Sequence, residues 1–308
     1  MTEHLQRLDA LAAERGIVLE TGVRLGPFTT LRVGGPADRL VTPRTRDELL
    51  AALALARDAV VTPFMLGNGS DVVIADAGIR GLVIRNRARG LLVDGESVTA
   101  DSGTPMAMLV KRCTLEGLTG IEFGISIPGS VGGAVWANAG AHGGEMREVL
   151  RTVEIADGAE LRTMDSSACD FAYRESRFKH VAEVVLAATL VLARDAPDEI
   201  AARVDAHQAQ RRATQPLAEQ NAGSVFRNPP GDHAGRLIEA AGLKGHRLGS
   251  AQVSTLHANF MVTDAGGSAT DVRALGDHVR AVVAERFDVE LQYEIEFVGD
   301  WTPAGVAA

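Results

Sequence analysis

Two stretches of this chain can bring backbone amides close to an anion. Residues 124–146, GISIPGSVGGAVWANAGAHGGEM, hold seven glycines in twenty-three positions and only two acidic or basic side chains, His142 and Glu145. Residues 65–71, MLGNGSD, are a shorter stretch of the same kind. Glycine lets the main chain approach a bulky ligand where a Cβ would block it. Successive exposed N–H groups form a concavity that can hold a pyrophosphate without a lysine. Neither stretch is a G-x-G-x-x-G opening a helix, and no G-x-x-x-x-G-K-[ST] occurs, which disfavours a Rossmann dinucleotide site and a P-loop. Two such loops imply a large phosphate-bearing cofactor held by another fold.

Three further clusters carry reactive groups. Residues 173–179, YRESRFK, place Arg174, Arg177 and Lys179 beside Tyr173 and Phe178; on composition alone this reads as a solvated basic turn. In NAGSVFRNP (221–229), Ser224 sits between a flexible Ala-Gly and an apolar Val-Phe. That is not the G-x-S-x-G nucleophile elbow, and no His or Asp stands at triad spacing. A hydrogen-bonded serine hydroxyl can instead hand a proton to a transient carbanion or enolate. In LQYEIEFVG (291–299), strand alternation would put Glu294 and Glu296 on one face and Ile295 and Phe297 on the other. Taken alone, that pattern is an edge strand with acidic side chains facing water.

These groups need a scaffold, and the chain is long enough to build one. Its 308 residues suit two or three domains. A hydrophobic content of 46% is ample for sizeable cores. The formal charge of −9 argues against wholesale binding of nucleic acid or a membrane surface, so any anionic ligand must meet locally placed arginines. Cys113 and Cys169 lack metal-ligand spacing and read as buried or idle thiols in a reducing compartment; no metal site is indicated. The N-terminal sixteen residues are a charged amphipathic stretch with Leu5, Leu8 and Leu11 at helical spacing and no apolar signal core. No apolar run approaches the ~20 residues of a membrane span, so a soluble, cytoplasmic protein is expected.

Along the chain, TTLRVGGPA (29–37) reads as extended and 39–42 as a short strand. Thr45 to Glu48 form a capping box for a helix over 47–57, with Leu49, Leu50, Leu53 and Leu55 on its buried side. Strands are expected at 64–66, 72–74, 81–85 and 91–93, and a helix over 105–116. Further strands are expected at 153–155 and at 184–192, the latter too continuously apolar to lie at the surface. An alanine-rich helix over 196–212 marks a change of character. Beyond it come a helix at 235–241, strands at 258–262 and 293–298, and a last helix over 270–286 with Val272, Leu275, Val279 and Val282 on one face. The tail 301–308 is expected to fray. Without regular βαβ alternation the class is α+β, divided as 1–85, 86–197 and 198–308.

Taken in order, these segments resemble the MurB family, bacterial UDP-N-acetylenolpyruvoylglucosamine reductases of peptidoglycan synthesis. The resemblance runs through TTLRVGGPA (29–37), LGNGSD (66–71), IPGSVGGAVWANAGAHGGE (127–145), YRESRFK (173–179), QPL (215–217), AGSVFRNP (222–229), LIEAAGLKGHRLGSAQVSTLHANFMV (237–262) and EIEFVG (294–299). Each segment alone is weak; eight in register are specific. The resemblance implies an FAD-binding fold of the vanillyl-alcohol-oxidase (PCMH) type over the first two parts, with non-covalent FAD, and a separate C-terminal α+β domain for the substrate. It implies transfer of a hydride from NADPH by way of FAD to the enolpyruvyl ether of UDP-N-acetylglucosamine enolpyruvate, giving UDP-N-acetylmuramate. The wider roles implied are cell wall biogenesis, cell shape, the cell cycle and cell division.

By matching positions, Arg174 and Glu294 correspond to the family's activating pair, with Glu294 protonated or sharing a proton, and Ser224 to its proton donor. Tyr173, Arg212 and Asn228 correspond to substrate-binding positions. Gly67, Asn68, Gly69 and Ser70 are expected around the FAD pyrophosphate, and Arg32, Ile127, Pro128, Gly129, Ser130 and Gly133 along the rest of the cofactor. Asp71, Tyr293 and the VTDAGG turn at 262–267 depart from the residues common in the family. The short interval from Arg174 to Ser224 matches the subclass lacking an extra tyrosine-bearing loop. Two other readings stay open: a flavoprotein paralogue acting on another sugar nucleotide, and a catalytically silent sugar-nucleotide sensor.

Overall fold

The apolar run that the sequence places inside the protein is the middle strand of the largest sheet. In a computed structural model describing residues 2–302, Val184–Val191 is flanked by Leu150–Asp157 and Ser97–Asp101, with Glu160–Asp165 and Leu91–Asp94 as edges, all antiparallel. Both faces of the middle strand are covered, which is why its sequence lacks the polar alternation of a half-exposed strand. Helices Met106–Leu115 and Val131–Trp136 contribute Leu109, Val110, Val131 and Val135 to the same core.

Packing groups the chain into two units that interleave in sequence. One holds the residues up to Leu19, Leu40–Asn68 and Leu82–Arg211; the other holds Glu20–Arg39, Gly69–Gly81 and the chain from Arg212 onward. The contiguous division 1–85, 86–197 and 198–308 is a different partition. Composition changes along the chain, whereas packing follows strands that return to a core from distant points in the sequence.

In the first unit a second core forms where Thr2–Glu14 and Arg46–Asp58 pack together. The helix Arg46–Asp58 starts at Thr45, whose hydroxyl accepts from the Glu48 N–H at 3.2 Å. It buries Leu49, Ala52, Leu55 and Ala56, while Leu50 and Leu53 remain half-buried. A stripe at 100° per residue passes through small alanines, which an inspection of leucines alone overlooks. Phe64–Leu66 pairs in parallel with the second half of Ile79–Arg85, and the chain leaves Leu66 directly into the shorter glycine loop.

In the second unit, strands Gln220–Ser224, Phe260–Thr263, Ala251–Val253 and Arg247–Leu248 form an antiparallel sheet. The long helix Ala269–Phe287 packs on it with Val272, Leu275, Val279 and Val283 fully buried. Val283, rather than the expected Val282, completes the stripe. The expected strand at 293–298 shortens to Glu296–Val298, paired in parallel with Val72–Ile74. Tyr293 makes only an isolated bridge to Phe226, so Glu294 and Glu296 do not share one strand face. Of the tail, residues 303–308 lie outside the described ones. Trp301 does not fray: its ring packs edge-on against Phe297, 5.4 Å between centroids, beneath the Arg273 guanidinium at 4.8 Å.

The start of the long helix depends on a carboxylate far away in sequence. Asp76 accepts from the N–H groups of Ala269 and Thr270 at 2.9 Å and from the hydroxyls of Ser268 and Thr270 at 2.7 Å. Burial alone would raise this carboxyl, but those four donors hold it below its ordinary value. A depressed carboxyl contributes stability above its unfolded pKa, near 3.8, and loses it as pH falls through the folded value. Asp76→Ala should therefore cost about 1–2 kcal/mol at pH 7, a deficit that thermal melts should find narrowed at pH 3. An equal deficit at both pH values would assign the effect to packing instead.

Cys113 and Cys169 are free and buried, their thiols pushed up by burial to about 12 and about 11. Both are buried, as expected. Among the described residues no helix is long and apolar enough to cross a membrane.

Candidate flavin and sugar-nucleotide site

Within the first unit the two glycine stretches meet. Asn68 donates its side-chain amide to the Pro128 carbonyl at 2.9 Å, and a Cβ placed on Gly67 would lie 2.7 Å from Ser130 Oγ. Ser130 is buried and caps the helix Val131–Trp136 by accepting from the Gly133 N–H. The backbone of 129–132 is tied down by Met106 N–H to Gly129 O at 3.1 Å, Val131 N–H to Thr104 O at 2.8 Å and Gly132 N–H to Ser102 O at 2.8 Å. Gly67, Asn68, Pro128, Gly129 and Ser130 thus form one ordered corner, with Ile127 half-buried beside it and Gly133 exposed. Small uncharged residues, close main-chain approach and no carboxylate among 67–70 or 127–133 suit a pyrophosphate.

A group the sequence reading missed adds positive charge at this corner. Thr42, Arg44, Arg85, Arg87 and Arg89 line a recess of about 420 Å³, and Arg87 donates to Asn68 Oδ1. Burial, then the neighbouring Arg85 and Arg89, pull Arg87 below its ordinary value, as crowded cations do. The spacing in RNRARG (85–90) was the available signal, since i, i+2 and i+4 on an extended chain share a face. Four arginines gathered here, in a chain of net charge −9, make a local positive field that can attract an anion.

The YRESRFK motif divides into residues that fasten a turn and residues at its tip. Ser176 donates to Trp136 O at 2.6 Å, Phe178 is buried, Arg177 pairs with Glu183 and Lys179 lies over the Trp136 ring at 4.3 Å. These residues fasten the turn. Arg174, at its tip, donates to Gly140 O at 2.8 Å in the longer glycine stretch. Tyr173 is about half exposed, its ring 5.1 Å from the Arg174 guanidinium.

In the second unit Ser224 and Glu294 come together through the backbone. Ser224 ends the strand Gln220–Ser224 opposite Phe260, just past a register shift. The next residue, Val225, accepts from the Glu294 N–H at 2.8 Å, and Phe226 bridges to Tyr293. Both candidate residues are half-buried. Asn259, also missed, sets this arrangement: its buried side chain accepts from Phe226 N–H at 3.0 Å and donates to Phe226 O at 2.8 Å, while its carbonyl takes Val225 N–H at 2.8 Å. No spacing rule announces such a backbone clamp.

The remaining expected residues are placed as follows. Asn228 is exposed and accepts from Ala234 N–H at 3.1 Å, at the start of a short helix. Arg212 is exposed near the end of the helix Pro197–Thr214. Arg32 has a left-handed backbone, φ 61°, and donates to Pro27 O at 2.6 Å. Gly69 is buried, also left-handed at φ 65°, and with Ser70 continues the loop begun at Gly67.

Comparison with known proteins bears on the whole chain. A family model for an FAD binding domain matches residues 37–163, and one for the C-terminal domain of UDP-N-acetylenolpyruvoylglucosamine reductase matches 215–298. The chain is 43% identical to UDP-N-acetylenolpyruvoylglucosamine reductase 2 of Symbiobacterium thermophilum, over 98% of this chain and 100% of the relative. It is 39% identical to the reductase of Bacillus subtilis, over 89% and 92%. The crystal structure of MurB from Thermus caldophilus superposes with a TM-score of 0.79 at 35% identity, covering 91% of this chain and 98% of that one. The fold class is that expected, α+β with an FAD-binding region and a separate C-terminal domain. Similar along nearly its whole length to these reductases, the chain belongs to the UDP-N-acetylenolpyruvoylglucosamine reductase family.

Proposed function

We propose that this chain reduces UDP-N-acetylglucosamine enolpyruvate to UDP-N-acetylmuramate in peptidoglycan synthesis, in the cytoplasm, with NADPH as hydride donor. It is an FAD-dependent oxidoreductase. The observation that carries the reading is 43% identity to a reductase of this name over 98% of the chain. FAD is held by Gly67, Asn68, Gly69 and Ser70 at its pyrophosphate and by Arg32, Ile127, Pro128, Gly129, Ser130 and Gly133 along the rest. Residues 1–85 and 86–197 serve the cofactor and 198–308 the sugar nucleotide, which Tyr173, Arg212 and Asn228 bind.

When bound, FAD supplies the hydride that adds to the vinyl carbon β to the substrate carboxylate. Negative charge then grows on that carboxylate. The Arg174 guanidinium and a proton on Glu294 meet it, as donors do in an oxyanion hole. The Ser224 hydroxyl delivers its proton to the α carbon, completing the saturated lactyl ether. Ser224 and Glu294, on adjoining backbone segments, support the reading that one residue quenches the charge the other stabilises.

Anaerobic absorbance at the flavin band tests the proposal. NADPH should bleach the band and the enolpyruvyl sugar nucleotide should restore it. Bleaching without recovery would favour the paralogue, and no flavin band after reconstitution with FAD would leave a silent sensor.

A further inference from the structure

Arg174 occupies an unusual backbone position for a large charged residue. Ala172 and Glu175 exchange both backbone hydrogen bonds at 3.1 Å, closing a tight turn with Tyr173 and Arg174 at its tip. Arg174 has φ 55°, in the left-handed region that costs a side chain with a Cβ. Such a conformation persists when the surroundings over-determine it.

One residue bonded to this turn is Asn138. Its side chain is completely buried. Its Nδ2 donates to Ala172 O at 2.9 Å, the same carbonyl that closes the turn, and to Glu145 Oε2 at 3.1 Å. Its Oδ1 accepts from the Arg147 N–H at 3.0 Å. Two residues further along, Gly140 O receives the Arg174 guanidinium at 2.8 Å. One short segment therefore holds Arg174 at both ends, its turn through the Asn138 amide and its head group through the Gly140 carbonyl. Asn138 is itself left-handed at φ 42°, a conformation asparagine tolerates better than most residues. Aspartate there would keep the size but turn an oxygen toward the Ala172 carbonyl and the Glu145 carboxylate, replacing two attractions with two repulsions.

We propose that Asn138 is a positioning residue for Arg174, acting on substrate reduction through the placement of that guanidinium. The inference rests on the reading that Arg174 meets the charge developing on the substrate. The test is a double-variant cycle on the FAD-loaded enzyme, using stopped flow to measure flavin reduction by NADPH and flavin reoxidation by UDP-N-acetylglucosamine enolpyruvate separately. Asn138→Ala and Asn138→Asp should each slow reoxidation by about 10–100-fold, the scale of a misplaced reacting group, and leave reduction by NADPH unchanged. In an Arg174→Ala background the Asn138 substitutions should add almost nothing, because residues acting as one unit are not additive. Slowing that multiplies with that of Arg174→Ala, or that falls equally on both half-reactions, would overturn the proposal. Normal reoxidation in Arg174→Ala alone would instead remove the reading beneath it, a result visible without any Asn138 variant. If Asn138→Ala does not retain flavin, Asn138→Gly carries the cycle, since glycine adopts the left-handed backbone at φ 42° and adds no charge.

Discussion

Replacing Ser224 by alanine is expected to leave flavin reduction by NADPH at its normal rate and to slow reoxidation by the enolpyruvyl sugar nucleotide about 10²–10⁴-fold, the usual contribution of a positioned acid. The expectation is sharp because the backbone, not the hydroxyl, holds the residue in place. Ser224 is paired with Phe260, Val225 donates to Asn259 O at 2.8 Å, and Glu294 donates to Val225 O at 2.8 Å. Removing one oxygen from a half-buried side chain leaves each of these contacts intact, so melting temperature and flavin content should barely change. A loss confined to one half-reaction would then report proton delivery. Normal turnover in Ser224→Ala would exclude Ser224 as the proton source and leave the α carbon to be protonated from water.

Much of this architecture is legible in the sequence, for reasons that differ between elements. The strand at 184–192 and the helix at 270–286 announce themselves because burial on two faces and on one face leave different periodicities. Glycine stretches are visible because only glycine fills both positive-φ and close-approach positions. Ser224 and Glu294 are a different case. Each is unremarkable alone, and only the eight segments in register single them out; the structure then shows their backbones adjoining. Pattern failed at 293–298, where alternation predicted a strand through Glu294. Pairing with Val72–Ile74 stops at Glu296, and the preceding residues turn to meet Val225 and Phe226 instead. Asn138, Asn259 and Asp76 were illegible for one shared reason. Each acts by bonding backbone groups far from it in sequence, and backbone groups look the same in every sequence.

The second large effect is expected at Gly69. Its φ of 65° already disfavours a side chain, and a Cβ there would lie 2.4 Å from Phe28 O and 2.8 Å from Thr29 Cα. Those obstacles are main chain and cannot rotate away. Gly69 O meanwhile accepts from Thr30 N–H at 2.9 Å, and Thr29 is buried with its hydroxyl directed to Gly26 O at 3.1 Å, so the opposing segment is fixed as well. Gly69→Ala must therefore displace the loop proposed to wrap the FAD pyrophosphate. The FAD dissociation constant should rise at least about 100-fold, roughly 2.7 kcal/mol, in a fluorescence titration of the flavin-free protein. Gly231→Ala supplies the control: Gly231 is also left-handed, φ 76°, but a Cβ there meets nothing within 4 Å. It incurs the conformational cost of about 1 kcal/mol without the collision. Flavin affinity should be normal in Gly231→Ala and lost in Gly69→Ala. Equal losses in both would trace the effect to global stability, and normal affinity in Gly69→Ala would mean the 67–70 loop does not cradle the cofactor.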